Sequence, residues 1–184
     1  MEKNLTGQRR LKRVLVTGPE STGKTELAGE LAGWFGGLVI PEYARGYIER
    51  LGRPYTYEDV EHIAEQQARE YEREYPGWEW LFYDTWLILT RVWFQVVFDR
   101  QPDWLDGCIA GAKFDLVLLC APDIPWIPDP VRENGGTRRE ELFERYKQEL
   151  ERFAMGWEIV TGKGDERPRR ARQIIQRRID DGTI

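Results

Sequence analysis

The chain has 184 residues, a length that predicts one domain with a substantial core. Lys and Arg number 27 against 32 Asp and Glu, a formal net charge of −5 that argues against a dedicated duplex-DNA binder. No run approaches the roughly 20 apolar residues of a membrane span, and 41% hydrophobic residues weigh against intrinsic disorder.

Residues 1–12 are expected to be flexible. Arg13–Thr17 is a short apolar β run that stops at Gly18. Gly23–Phe35 follows with Leu27, Ala28, Leu31 and Trp34 at helical spacing, and Gly36-Gly37 ends it. Leu38–Ile40 reads as a second strand and Tyr43–Leu51 as a short helix closed by Gly52. Thr56, with Asp59 three residues on, opens a long polar helix to about Tyr75, and Pro76-Gly77 turns the chain. Trp80–Tyr83 is a third strand ending at Asp84. Thr85–Phe98 is a strongly apolar helix, with Leu87, Trp93 and Val97 expected inside. Asp115–Cys120 is a fourth strand. Ala121–Arg138 is Pro-rich, contains Gly135-Gly136 and has no periodicity; its length makes it functional or mobile, a lid over about 121–139. Glu140–Met155 is a helix with Leu142, Phe143, Tyr146 and Leu150 on one face, Glu158–Val160 a fifth strand, and Arg167–Ile179 a closing helix. Strands alternating with helices predict a three-layer α/β domain with a five-stranded parallel sheet, and neither a repeat nor an interdomain linker interrupts it.

The chemistry sits in Gly18-Pro19-Glu20-Ser21-Thr22-Gly23-Lys24-Thr25, which matches GxxxxGK[ST] between a predicted strand and a predicted helix. Glycines let backbone N–H groups approach phosphate oxygens, and the helix N-terminus adds positive potential. Lys24 supplies a point charge to the β/γ-phosphates and Thr25 a hydroxyl to Mg²⁺. Asp84, at a strand end, is the candidate carboxylate behind the metal; capping the next helix is the competing role. Glu42 ends the second strand, where strand termini converge on the ligand crevice. It is placed to bind a sugar hydroxyl or take its proton, or else to serve as a helix-start carboxylate. Arg45, one turn on, would reach a phosphate or pair with Glu42. Arg132, Arg138 and Arg139 suit a lid that closes over a transferring phosphoryl group. Glu133, Glu140 and Glu141 between them leave an ordinary charged loop open as the alternative.

Charge is unevenly spread. Residues 1–13 and 163–184 are basic, and Glu58–Asp84 is acidic. Cys108 and Cys120 form no CxxC pair, and without an apolar signal segment the expected compartment is the reducing cytoplasm. His62, the one His, leaves little basis for a Cys/His zinc site or a His-based triad.

Four blocks in this order resemble one family: the phosphate loop, Pro41-Glu42-Tyr43-Ala44-Arg45, Tyr83-Asp84-Thr85, and Asp123-Ile124-Pro125-Trp126 through Asp129-Pro130-Val131-Arg132-Glu133-Asn134. Together they are similar to the ribosylnicotinamide kinase domain of NadR-type NAD-biosynthesis proteins, over about Arg13 to Ile179. The resemblance implies a P-loop kinase fold and an ATP- and Mg²⁺-dependent enzyme that phosphorylates the ribose 5′-hydroxyl of nicotinamide riboside. It implies phosphate and metal contacts from Lys24, Thr25 and Asp84, and substrate contacts from Glu42, Tyr43, Arg45, Gln67 and Trp126. Arg132 and Arg139 match lid positions, and Thr161 to Arg167, with Gly162 and Arg167 as nucleotide contacts, would pack near adenine. Two departures affect the base: Pro41 stands where some members carry an aromatic residue, and Trp86 where some carry a second Asp. Trp86 or Trp126 is left to stack on the base, or simply to pack. His62 cannot furnish an HxGH-type adenylyltransferase site, so the expectation is a kinase module alone, with a small-molecule nucleoside as partner and neither nucleic acid nor membrane. The competing classes are a regulatory P-loop ATPase or GTPase module and a nucleoside monophosphate kinase using Arg45, Arg50 and Arg53 as a second anion site.

Overall fold

Val14, Leu15 and Val16 are fully buried and form the middle of the sheet in the computed structural model, which describes residues 10–126 and 138–184. The elements run β1 (Lys12–Thr17), α1 (Lys24–Phe35), β2 (Leu38–Ile40), α2 (Tyr43–Leu51), α3 (Tyr57–Glu72), β3 (Trp80–Asp84), α4 (Leu87–Trp93) with a π-helical turn (Phe94–Phe98), α5 (Asp103–Gly111), β4 (Leu116–Cys120), α6 (Arg138–Arg152), β5 (Trp157–Val160) and α7 (Glu166–Asp180). All strands are parallel, in the order β2-β3-β1-β4-β5. β1 therefore lies between β3 and β4, and the order reverses there, which opens a crevice at the strand carboxyl ends.

Strand alternation divides the core between two layers. Leu15, Leu81, Tyr83, Val117 and Leu119 pack under α3, α4, α5 and α6, while Val14, Val16, Phe82, Leu116 and Leu118 pack against α1 and α7. The three-layer α/β reading with five parallel strands holds. No helix among the described residues is long and apolar enough to cross a membrane. β1 starts at Lys12, and Arg10 ion-pairs with Asp115, so the stretch expected to be flexible has structure at its end; residues 1–9 lie outside the described residues.

Two expectations need correction. α5 was not anticipated: Asp103–Gly111 contains Gly107 and buries only Leu105 and Ile109, too weak a periodic signal to read. The segment Thr85–Phe98 is not one α-helix with Trp93 and Val97 inside. α4 begins at Leu87, and its last turn widens to π geometry. Leu87, Ile88 and Phe94 take the core side, which leaves Trp93 half-buried and Val97 45% exposed.

Arg91 is 3% exposed and holds three helices together. Its Nε donates to Asp106 Oδ1 of α5 at 2.7 Å, and its Nη1 donates to Glu149 of α6. Gln101 and Gln95 donate to the same two carboxylates at 2.6 Å and 3.0 Å. The Arg91 guanidinium holds the Asp106 carboxyl below its usual range. Thr56 and Asp59 close the predicted capping box at the start of α3. Asp59 also accepts from Arg53 at 2.6 Å and 2.9 Å and from Tyr47 at 2.9 Å. Arg53 is the main cause that holds the Asp59 carboxyl well below the ordinary 3.8, and the Thr56 N–H and Tyr47 hydroxyl assist against burial.

Arg91→Met should destabilise the fold by about 3 kcal/mol, because it strands a buried carboxylate. Pairing it with Glu149→Leu should recover much of that loss in urea titrations. The Asp59 carboxylate is depressed on folding, so its contribution is complete above about pH 5 and lost as pH falls through the folded-state value. The stability advantage of the parent over Asp59→Asn should therefore be constant from neutrality to about pH 5 and shrink on further acidification. An advantage that grows in acid would contradict this assignment.

Candidate functional site

The loop from β1 to α1 is shaped by close backbone approach. Gly18 has φ 136°, and a Cβ there would sit 2.7 Å from the Cys120 carbonyl oxygen at the end of β4, so only glycine fits. Ser21 and Gly23 also take left-handed backbone, at φ 53° and 73°. The Thr22 hydroxyl and the Lys24 ammonium each donate to the Pro19 carbonyl at 2.8 Å, which folds the loop over the helix start. No side chain caps α1, so its first N–H groups face the cleft with the positive end of the helix dipole.

Asp84 lies across β1 from this loop, in register with Val16, and is 1% exposed. Burial raises its pKa, opposed by a hydrogen bond from the Thr25 hydroxyl and by the charges of Lys24 and Arg45. Its Oδ1 is buried without a protein partner. The N-cap of α4 is Trp86, so capping is not the role of Asp84. Thr85 between them has φ 65°, a strained value for a β-branched residue, and its hydroxyl is buried without a partner. Among the described residues no group of three or more His, Cys, Asp or Glu could hold a metal. A hard cation would depend on Asp84, the Thr25 hydroxyl and oxygens of a bound nucleotide, and the orphaned Asp84 oxygen fits that use.

Glu42 is the N-cap residue of α2, yet its side chain makes no capping bond and lines the cleft. Arg45 lines it too, with Nε donating to Glu49 at 2.9 Å. Tyr146 of α6 closes the same space. Burial, then the charges of Glu42 and Glu20, push its phenol far up, so it remains a neutral donor. Sequence reasoning placed Tyr146 on a core face, and nothing in the spacing separates a core tyrosine from one whose ring also walls a cleft.

The arginines expected over the phosphates divide. Arg138 lines the cleft and is exposed. Arg132, with residues 127–137 of the expected lid, lies outside the described residues. Arg139 is 5% exposed, and its two Nη atoms donate to the carbonyls of Ile124 and Ser21, each at 3.0 Å. Burial and the neighbouring Arg167 charge lower its pKa. Arg167 donates to the carbonyls of Gly162 at 3.1 Å, Val160 at 3.3 Å and Ala121 at 3.0 Å, and ion-pairs with Asp123. The Gly162 N–H donates to Asp123 at 2.7 Å, and a Cβ on Gly23 would lie 3.9 Å from Arg167 Cδ. Both arginines thus tie the β4 exit to its surroundings, and Arg139 ties it directly to the phosphate loop.

The remaining substrate candidates lie elsewhere. Gln67 and Tyr43 line a separate cavity of about 170 Å³ with Pro41 and Trp86. Gln67 Oε1 accepts from Thr90 at 3.4 Å, and Tyr43 OH bonds His62 Nε2 at 3.1 Å. Trp86 is 2% exposed and packs on Tyr71 and Phe114 at 5.2 and 5.0 Å. Trp126 is half-buried and lines neither space.

The main cleft encloses about 700 Å³. Its polar lining includes residues 19–26, Glu42, Arg45 and Arg138, and its apolar lining includes Ile48, Leu89, Val92, Trp93, Val96 and Val97. Anion-binding N–H groups, cations, carboxylates and apolar surface on one cleft suit a nucleotide beside a second small molecule.

An AAA domain family model matches residues 13–167. The trifunctional NAD biosynthesis/regulator proteins NadR of Salmonella typhimurium and Escherichia coli are each 27% identical over 146 residues, 76% of this chain and 35% of theirs. The chain thus spans about a third of the length of these curated relatives. A NadR protein crystallised with NR superposes with TM-score 0.74 and 28% identity, covering 84% of this chain and 46% of that one. A NadR complex with NAD and AMP-PNP superposes at 0.76 with 26% identity, covering 91% and 49%. Deoxyadenosine kinase from M. mycoides shares the fold at TM-score 0.61 and 13% identity, over 92% of this chain and 98% of that one. The family model covers most of the chain and the NadR likeness runs through both sequence and fold, so this protein belongs to the AAA domain family and is similar to NadR-type P-loop kinase domains.

Proposed function

We propose that the chain is an ATP- and Mg²⁺-dependent kinase for the ribose 5′-hydroxyl of nicotinamide riboside or a related nucleoside, acting as one domain. The observation that carries this reading is the meeting of Lys24, Thr25 and Glu42 on one cleft of about 700 Å³, with the buried Asp84 carboxylate hydrogen-bonded to Thr25 behind them. The NadR complexes with NR and with AMP-PNP support the choice of ligands.

Lys24 and the α1 N–H groups would hold the β- and γ-phosphates and stabilise charge that grows on them during transfer. Asp84 and Thr25 would hold Mg²⁺, which supplies charge neutralisation between the phosphate oxygens. Glu42 would orient the acceptor hydroxyl and take its proton. The hydroxyl oxygen bonds to the γ-phosphorus as the bond to the β–γ bridging oxygen breaks, and ADP leaves. Tyr146, neutral and beside Glu42 and Glu20, would donate a hydrogen bond within the same wall.

A monophosphate acceptor needs a second anion site, and the geometry favours it less. Arg53 engages both Asp59 oxygens, Arg45 engages Glu49, and Arg50 does not line the cleft. A regulatory module would bind ATP, or GTP, without yielding any nucleoside product.

Incubation with Mg-ATP and a nucleoside panel, followed by mass spectrometry, should reveal a new monophosphate; a folded, ATP-binding protein that makes none defeats the proposal. Lys24→Ala should lower kcat roughly a hundredfold or more, with the fold intact by circular dichroism. Glu42→Gln should preserve ATP affinity while lowering kcat roughly a hundredfold. Full activity in that variant would move the base assignment to Asp84.

A further inference from the structure

Arg138 and Arg139 are neighbours at the start of α6, and successive helical residues do not face the same way. Arg138 is exposed and lines the cleft, whereas Arg139 does not line it and is 5% exposed. Both Nη atoms of Arg139 are committed to backbone: one donates to the Ile124 carbonyl and the other to the Ser21 carbonyl, each at 3.0 Å. Its Nε is buried without a partner among the described residues. A guanidinium held in this way is set back from the cleft, behind the phosphate loop.

What it holds there is the shape of the loop. Ser21 has φ 53°, left-handed backbone that is costly for a residue other than glycine, and Gly23 follows at φ 73°. Left-handed residues in a turn direct neighbouring N–H groups to one side and make a concavity that takes an anion. The C=O and N–H of one trans peptide point in opposite directions, so fixing the Ser21 carbonyl also fixes the direction of the Thr22 N–H. The Pro19 carbonyl is fixed from within the loop, by Thr22 and Lys24 at 2.8 Å. Ser21 is anchored instead from α6, and Ile124 supplies the second point that sets the plane of the Arg139 fork. A lysine ammonium has no such plane to set.

We propose that Arg139 is a positioning residue for the nucleotide phosphates: it holds Ser21 in left-handed backbone so that the loop N–H groups are aimed at the phosphate oxygens, and it makes no contact with the nucleotide itself. This rests on the nucleotide-binding half of the kinase reading and gives Arg139 a role different from that of a lid cation. The ligand class is a nucleoside di- or triphosphate, and the anion site is organised before the ligand arrives.

In a crystal structure of the parent with Mg-AMP-PNP, Arg139 should keep both carbonyl bonds, with no phosphate oxygen within hydrogen-bond distance of its guanidinium. A direct phosphate contact overturns the proposal, and this result stands whether or not any variant folds. Calorimetric titration of the parent, Arg139→Lys and Arg139→Met with Mg-ADP and with Mg-AMP-PNP should show affinity lowered roughly tenfold or more in both variants, by the same factor for the two nucleotides. Parent-like affinity in Arg139→Lys shows that the fork is not needed, and a loss confined to AMP-PNP marks a cation acting on the γ-phosphate; either overturns the proposal. In turnover the ATP KM should rise while the nicotinamide riboside KM stays unchanged, and an equal rise in both marks a merely structural role and also overturns it. A parent that binds Mg-ADP but phosphorylates no nucleoside defeats the kinase reading alone, and the titrations still decide the role of Arg139.

Discussion

The approach of Gly18 to the end of β4 is the constraint on which the site depends. The chain leaves β1 so close to the Cys120 carbonyl that no side chain fits, and this sends the loop across the switch point of the sheet. From there α1 can begin with its uncapped N–H groups facing the cleft. The parallel register places Asp84 one strand away at the same height. A larger residue at Gly18 would push the loop off β4 and move the anion site relative to that carboxylate.

Around this point the protein uses cations in two different ways. Lys24 starts a helix, on a flexible stem, with one carbonyl partner. Arg139 and Arg167 are buried among backbone carbonyls, whose dipoles compensate their charge together with the Asp123 carboxylate beside Arg167, in a setting where burial alone would be costly. Their planar forks bridge carbonyls contributed by distant segments, which a single ammonium would do less well. The arrangement makes the β4 exit, the β5 end and the phosphate loop one unit. Arg91 does comparable work behind the cleft: it fixes α4 against α5 and α6 and so steadies the apolar wall that α4 presents.

The legible parts of the site were those whose geometry is local. The phosphate loop has fixed spacing, and Glu42 and Asp84 sit at strand ends that any parallel sheet gathers at one edge. The Thr56–Asp59 cap was legible because all its atoms lie within four residues. Arg139 could not be read correctly from its neighbours: an arginine in a charged segment looks like a lid cation, and only the fold brings Ser21 to its fork. Gln67 and Tyr43 sit on suitable helices but line a separate cavity, because Gln67 of α3 meets Thr90 of α4 and Tyr43 of α2 meets His62 of α3. The glycines of α5 hid a helix whose formation depends on docking Leu105 and Ile109.

By itself the sequence determined that this is an α/β P-loop protein, since alternation of apolar runs and the GxxxxGK[ST] spacing are properties of short segments. It singled out Lys24, Glu42 and Asp84 as candidates for the same reason. Tertiary structure alone decided the strand order, the face of α4 that meets the cleft, and which arginines serve the backbone. Those features depend on distances between residues as far apart as Ser21 and Arg139, and such distances are set by packing of the whole sheet and its helices.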